Sequence, residues 1–368
     1  MADWASRAEQ AENAVTRRHL RRLVGLPGTA LGVVLWPATP GHLLFLRWHI
    51  WWQAHLLDVL IDAWMRDPTP VRRRRISRVV ASIRLRNLGR FTNDYYDDMA
   101  WIGLALLRAE KAGSGDAVAL RVICTRILDA WSPPMGGIPW RTGEEFFNAP
   151  ANGPAAILLA RTGFRHRAQQ MADWMDTNLR LPGSDLIADG FHPGEQLKPT
   201  YFTYCQGVVL GAELQLVQQD DSSDHSRIHR LVAAIDRELA VAGVLLGHGG
   251  GNGGLFTGIL MRYLAQVAIS LPGRDVEDVQ TREMAGHLVL ASAEAAWAQR
   301  VSAPAGPLFG PDWRIPALLP GRGRAGRTSG ATVEESDQPE RDLSVQLSGW
   351  MLMEAAALLE RTGRVAAE

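Results

Sequence analysis

Cysteine is almost missing from this chain of 368 residues, with Cys124 and Cys205 alone. Two distant thiols make no disulfide framework, and no Cys/His cluster has the spacing of a zinc site. An excess of one charge is also missing, since 39 Lys and Arg balance 39 Asp and Glu to a formal net charge of zero. A neutral chain offers no dominant field to a nucleic acid, so the run Arg72–Arg75 reads as a solvated helix face. No apolar stretch is long enough to span a bilayer. The best, Leu23–Trp36, is broken by Pro27 and by three glycines, and Pro37 follows it. Met1 to Asn13 is polar and mildly acidic, unlike the start of a secretory signal, and the expected location is the cytoplasm. The glycine-rich run His248–Gly254 has neither a following Gly-Lys-Ser/Thr nor a surrounding βαβ pattern, which excludes a phosphate loop.

Alternating strand patterns and fixed-period repeats are missing too. What is present is a hydrophobic content of 46%, enough for a sizeable core, organised as about twelve helical stretches paired by short loops. The expected fold class is all-α. Sequential helix pairs suit a solenoid or a closed toroid, and the absence of a repeat disfavours a regular solenoid. Trp48, Trp52 and His55 share one face of the helix His49–Met65; Trp48 and Trp51 read as core, although such a face also suits a cleft. Residues 320–340, rich in Gly, Arg and Ser, read as a mobile surface loop.

The densest chemistry lies in Asn93-Asp94-Tyr95-Tyr96-Asp97-Asp98-Met99-Ala100-Trp101. An apolar run follows, so a helix begins near Asp97 with the adjacent acids in its first turn. Helix capping explains one Asp there. Two beside three aromatics carry an extra repulsion that capping does not require. Glycosidic bond cleavage does use such a pair, about 5–5.5 Å apart for retention and about 6.5–9.5 Å for inversion. Neighbouring helical residues diverge by about 100°, so their carboxyl groups reach either range. Close carboxylates resist ionising together, leaving one as an acid. The residues alone leave capping and catalysis open, and retention and inversion likewise.

Five stretches in order resemble glycoside hydrolase family 76, the endo-α-1,6-mannanases. They are Asn93–Trp101; Trp51-Trp52-Gln53-Ala54-His55; Gly136-Gly137-Ile138-Pro139-Trp140 with Asn148 to Gly153; Thr203-Tyr204-Cys205-Gln206-Gly207; and Phe256-Thr257-Gly258-Ile259 with Arg262-Tyr263. The resemblance implies an (α/α)6 barrel over residues 46–368, with residues 1–45 as an N-terminal helix and loop packed on it. It also implies retaining cleavage of α-1,6-mannosidic linkages, with Asp97 as nucleophile and Asp98 as general acid/base. Asn93 and Asp94 are expected to hold the pair. Tyr96, Trp140, Asn148, Asn152, Tyr204 and Gln206 are the other candidate substrate-binding residues. The implied partner is an α-1,6-linked mannooligosaccharide or mannan, with no metal or organic cofactor. Cys205, Asn252 and Thr257 depart from the family's usual Asn, Asp and Lys.

Two other readings use the same residues. Asp94, Asp97 and Asp98 on one helix could bind Mg²⁺ and a diphosphate, although a second Asp-rich motif is missing; Asp220-Asp221 lies in a polar loop. A barrel that binds carbohydrate without cleaving it is the third.

Overall fold

The structure is a computed structural model that describes residues 3–220, 224–321, 326–329 and 332–363. Thirteen α-helices occur among these residues: α1 (Trp4–His19), α2 (Pro40–Leu43), α3 (Ile50–Arg66), α4 (Pro70–Arg86), α5 (Tyr96–Ala109), α6 (Ala117–Asp129), α7 (Ala149–Arg161), α8 (Arg165–Leu179), α9 (Thr203–Val217), α10 (Ser226–Leu239), α11 (Gly253–Ser270), α12 (Val276–Gln299) and α13 (Leu343–Arg361). Helices α3, α5, α7, α9, α11 and α13 each pack on the next, and α13 closes onto α3. Helices α4, α6, α8, α10 and α12 pack outside this ring. The outer position against α13 and α3 is filled by α1. Six inner and six outer helices form an (α/α)6 barrel, and the segment before residue 46 supplies its twelfth helix.

Local sequence sorts the two rings. The outer helix α10 buries Ile228, Leu231, Val232, Ile235 and Leu239, a stripe at helical spacing that covers one face. The inner helix α9 is buried on all sides from Thr203 to Val217 except at Tyr204 and Gln215. Inner helices approach closely because glycine sits at their contacts. A Cβ at Gly258 of α11 would fall 2.6 Å from the Ser348 Cα of α13, and one at Gly207 of α9 would fall 2.9 Å from the Leu260 Cα of α11.

Four inner helices share one anchoring device. Gln53, Asn152, Gln206 and Gln346 are each the fourth residue of their helix and fully buried. Each side-chain oxygen accepts a backbone N–H from a distant loop, and each amide nitrogen donates back to the same residue's carbonyl. The loop partners are Gly32, Ile138, Ile187 and Phe309. The second amide hydrogen goes to a carbonyl just before or at the helix start, from Trp48, Asn148, Phe202 or Glu340. Backbone groups of irregular segments, which would otherwise be buried unpaired, are satisfied in this way.

The arginine run is not uniformly solvated. Arg72 is buried and its Nη2 lies 2.7 Å from Glu12 Oε2, tying α4 to α1, while Arg75 and Arg66 reach the same carboxylate at 2.8 and 3.0 Å. Four consecutive residues sweep right round a helix, so one of them must face inward.

The described strands are short antiparallel ribbons of two strands each, at the loop ends of the barrel. One pairs Phe147–Asn148 with Gly190–Phe191, bringing the long 181–203 loop against the start of α7. Another pairs Thr328–Ser329 with Thr332–Val333. It belongs to the stretch 320–340 expected to be mobile, of which residues 322–325 and 330–331 lie outside the described residues. The Asn252 N–H donates to the Val333 carbonyl at 2.9 Å, so this ribbon rests on the loop that begins α11. No described helix is long and apolar enough to cross a membrane.

Candidate active site

A cleft of about 620 Å³ opens where the inner helices begin. Residues at the starts of α3, α5, α7, α9 and α11 line it, among them Ile50, Asp97, Asn148, Tyr204 and Gly253. Its volume lies in the usual range for small-molecule sites.

The start of α5 carries the chemistry. Asn93 accepts the Tyr95 N–H at 3.0 Å through Oδ1 and donates through Nδ2 to Asp98 Oδ2 at 2.5 Å. The segment 139–142 is stitched alongside, with the Tyr96 N–H on the Trp140 carbonyl at 2.9 Å and the Thr142 N–H on the Asp94 carbonyl at 2.8 Å. This seam delivers the Trp140 indole N–H to Asp97 Oδ2 at 3.0 Å. The other oxygen, Asp97 Oδ1, is buried and accepts no hydrogen bond among the described residues. Both acids face the cleft, and only 8% of Asp98 is exposed.

Burial lifts the Asp97 carboxyl to about 6; the Trp140 hydrogen bond opposes that rise and the charge of Asp189 adds to it. Asp98 lies well above its ordinary value, first through burial and then through repulsion from Asp97. The proton of the pair therefore resides on Asp98 at neutral pH and the charge on Asp97. One group is then ready to donate a proton and the other to attack.

A third acid faces the same cleft. Burial raises Asp189 to about 6, against a hydrogen bond from the Cys205 thiol at 3.7 Å. Aromatic rings form the walls. Tyr204 stacks on Phe256 with centroids 4.0 Å apart, Trp51 lies 6.4 Å from Phe256, and Tyr95 lies 5.2 Å from Trp140. Burial places the His248 and His49 imidazoles at about 4, so both are neutral at ordinary pH.

Of the expected site residues, Asn93, Asp97, Asp98, Trp140, Asn148 and Tyr204 line the cleft. Four do not. Asp94 is exposed and contributes only its backbone to the seam. Tyr96 packs against the core, its hydroxyl 3.4 Å from that of Thr142. Asn152 and Gln206 are sealed among the anchoring amides, because on α7 and α9 the fourth position faces a loop and not the cavity. Asn148 also caps α7, accepting the Ala151 N–H at 3.1 Å.

Sequence reading missed Asp189, Trp51, His49, His248 and Phe256. Asp189 stands in a long loop with no local signal, and only the ribbon to Asn148 brings it inward. Trp51, read as core, forms part of the wall. Among the departures, Asn252 lines the cleft and accepts the Trp52 indole N–H at 3.3 Å. Thr257 is buried against the Leu246 carbonyl at 3.0 Å.

The acidic triad of a Mg²⁺-diphosphate site is not assembled. The Asp94 side chain is exposed and does not line the cleft, so the three acids do not converge on one point.

An (α/α)6 barrel with two adjacent buried acids in an aromatic cleft has the architecture of a glycosidase. The chain belongs to glycosyl hydrolase family 76, whose model matches residues 7–325. It is similar to the solved family 76 α-1,6-mannanase of Salegentibacter sp. HEL1_6, with 29% identity over 97% of this chain and 100% of that one, at a TM-score of 0.79. A structure of an inactive variant of that enzyme, with two consecutive aspartates replaced, contains α-1,6-mannotetrose and matches at 29% identity, with the same coverage and a TM-score of 0.78. The Lin0763 protein of Listeria innocua shares the fold at 23% identity, over 98% of each chain, with a TM-score of 0.78. No curated protein matches the sequence.

Proposed function

We propose that the chain hydrolyses α-1,6-mannosidic linkages with net retention of configuration. The observation that carries this reading is the adjacent, buried pair facing the cleft: Asp97 held by the Trp140 indole N–H at 3.0 Å, and Asp98 beside it held by the Asn93 amide at 2.5 Å. Asp97 attacks the anomeric carbon of the mannosyl unit while Asp98 protonates the glycosidic oxygen, which leaves as an alcohol. Asp98, now ionised, removes a proton from water, and that water cleaves the mannosyl ester on Asp97. Both groups return to their starting states. The saccharide-bound relative that lacks two adjacent aspartates supports the substrate class. The fine substrate preference rests with the walls and with Asp189. A cytoplasmic location belongs to the same proposal, and fractionation of the native protein tests it.

The test is incubation with linear α-1,6-mannotetraose, following the product anomer by proton NMR before mutarotation. The α-anomer is expected first. Asp97→Asn and Asp98→Asn are each expected to reduce turnover by at least about 1,000-fold with the fold intact, as losses of paired catalytic groups do. Early β-anomer would overturn retention, and near-normal turnover by either variant would overturn the assignment of the pair.

A further inference from the structure

Far from the cleft, the chain brings together a second set of chemically capable side chains. His225 is the N-cap residue of α10 and His229 lies one turn further on, so both imidazoles lie on one face of the helix. Helix α10 begins near the end of the barrel where α9 finishes, whereas the cleft lies at the start of α9. Asp278 comes from the first turn of α12. His225 Nδ1 lies 2.7 Å and His229 Nε2 lies 3.0 Å from the same oxygen, Asp278 Oδ1. All three candidate ligand atoms lie within 4.8 Å of one another.

We infer that His225, His229 and Asp278 form a zinc-binding site that clamps α10 to α12, with water as the fourth ligand. Two imidazoles and a carboxylate suit Zn²⁺. Tetrahedral bonds of about 2.0–2.1 Å would place ligand atoms about 3.3 Å apart, so the present N···O contacts of 2.7 and 3.0 Å need to open by about 0.6 and 0.3 Å, and the two ring nitrogens already lie within 4.8 Å of each other. The outer contacts agree. Glu277 Oε2 lies 3.4 Å from His229 Nδ1. That nitrogen makes no hydrogen bond among the described residues, so Glu277 acts on His229 by charge alone. Asp278 is held from behind: its Oδ2 occupies the space where a Cβ on Gly273 would lie, at 1.9 Å. The Gly273 carbonyl is itself fixed by Arg282 Nη1 at 3.0 Å. The imidazoles are about one-sixth exposed and Asp278 almost wholly buried, so an ion would enter from solvent onto a fixed carboxylate.

The sequence reading found no Cys/His cluster with zinc spacing. The third ligand lies 49 residues from His229 and is an aspartate, so packing alone reveals it.

The test uses the full chain, freed of any affinity tag and stripped with EDTA. Zinc binding is measured by competition with a chromophoric chelator at pH 7.5, and melting temperature with and without Zn²⁺. One equivalent of zinc per chain and a raised melting temperature are expected. The double variant His225→Ala/His229→Ala should lose the equivalent, and Asp278→Asn should weaken it at least about 100-fold. Hydrolysis by the stripped enzyme should be unchanged. Absence of saturable binding at 100 µM Zn²⁺ would overturn the inference. Wild-type affinity in the double variant would do the same, or in Asp278→Asn should the double variant not fold.

Discussion

Replacing Trp140 with Phe isolates the hydrogen bond that keeps Asp97 ionised. The substitution keeps an aromatic ring against Tyr95 and Phe146 and removes the Nε1–H that donates to Asp97 Oδ2 at 3.0 Å. A hydrogen bond to a charged group contributes about 1.5–3 kcal/mol. At about 1.4 kcal/mol per pKa unit, its loss should raise Asp97 by roughly one to two units, from about 6 in the intact site. The sign follows from the donor: it favours the carboxylate, so removing it favours the neutral acid, which cannot attack. At pH 6.5 the ionised fraction should fall roughly 3- to 25-fold, with little loss at pH 8.5. The assay is kcat/KM for α-1,6-mannotetraose from pH 4.5 to 8.5, read as the variant-to-wild-type ratio. Any loss of stacking against substrate lowers that ratio equally at every pH, whereas the hydrogen-bond argument needs it to climb with pH. A flat ratio, or one that falls with rising pH, refutes the reasoning.

Two further outcomes follow from the same contacts. Asp98→Asn should raise the melting temperature at pH 7.5 and leave it nearly unchanged at pH 4. Folding lifts Asp97 and Asp98 above their ordinary values, so the stability each contributes is complete below about pH 4; that of Asp97 is lost as pH rises through about 6, and that of Asp98 keeps falling above it. Equal shifts at both pH values by calorimetry would contradict this. Gln206→Leu should lower stability by about 2–5 kcal/mol, because it strips partners from the buried N–H and carbonyl of Ile187. Urea unfolding measures the loss, and a change under about 0.5 kcal/mol, the size of an ordinary surface substitution, would show that the anchoring amide is dispensable.

What the sequence made legible divides by distance along the chain. Helix count and class were readable because apolar periodicity is local, and Asp97 and Asp98 because adjacent acids beside aromatics form an unusual local pattern. Asn148, Trp140 and Tyr204 were readable by resemblance. Asn152 and Gln206 also stand in resembling blocks, yet their side chains hold loops and touch no part of the cleft. A polar residue in a shared motif does not announce which of these two tasks it performs. Asp189, Trp51 and His248 were hidden for the opposite reason: nothing near them in sequence marks them, and only ring closure brings their segments to one mouth. Arg72 shows the same limit on a smaller scale, since its burial depends on Glu12 of α1.

The anchoring amides also explain why the chemistry sits on α5. On α3, α7, α9 and α13 the fourth residue is an amide that holds the helix start to a loop by its side chain. On α5 that position is Met99, fully buried and apolar, so the helix start needs another hold. It comes from the backbone, through Tyr96 and Asp94 bonded to segment 139–142. Because that hold uses main-chain groups, the side chains of the first turn are released, and Asp97 and Asp98 fill the released positions. The segment that supplies the hold also carries Trp140, whose indole N–H favours the ionised form of Asp97. Anchoring and pKa control are therefore one arrangement. A disruption of the 139–142 seam should cost catalysis before it costs the fold, because α3, α7, α9 and α13 keep their anchoring amides.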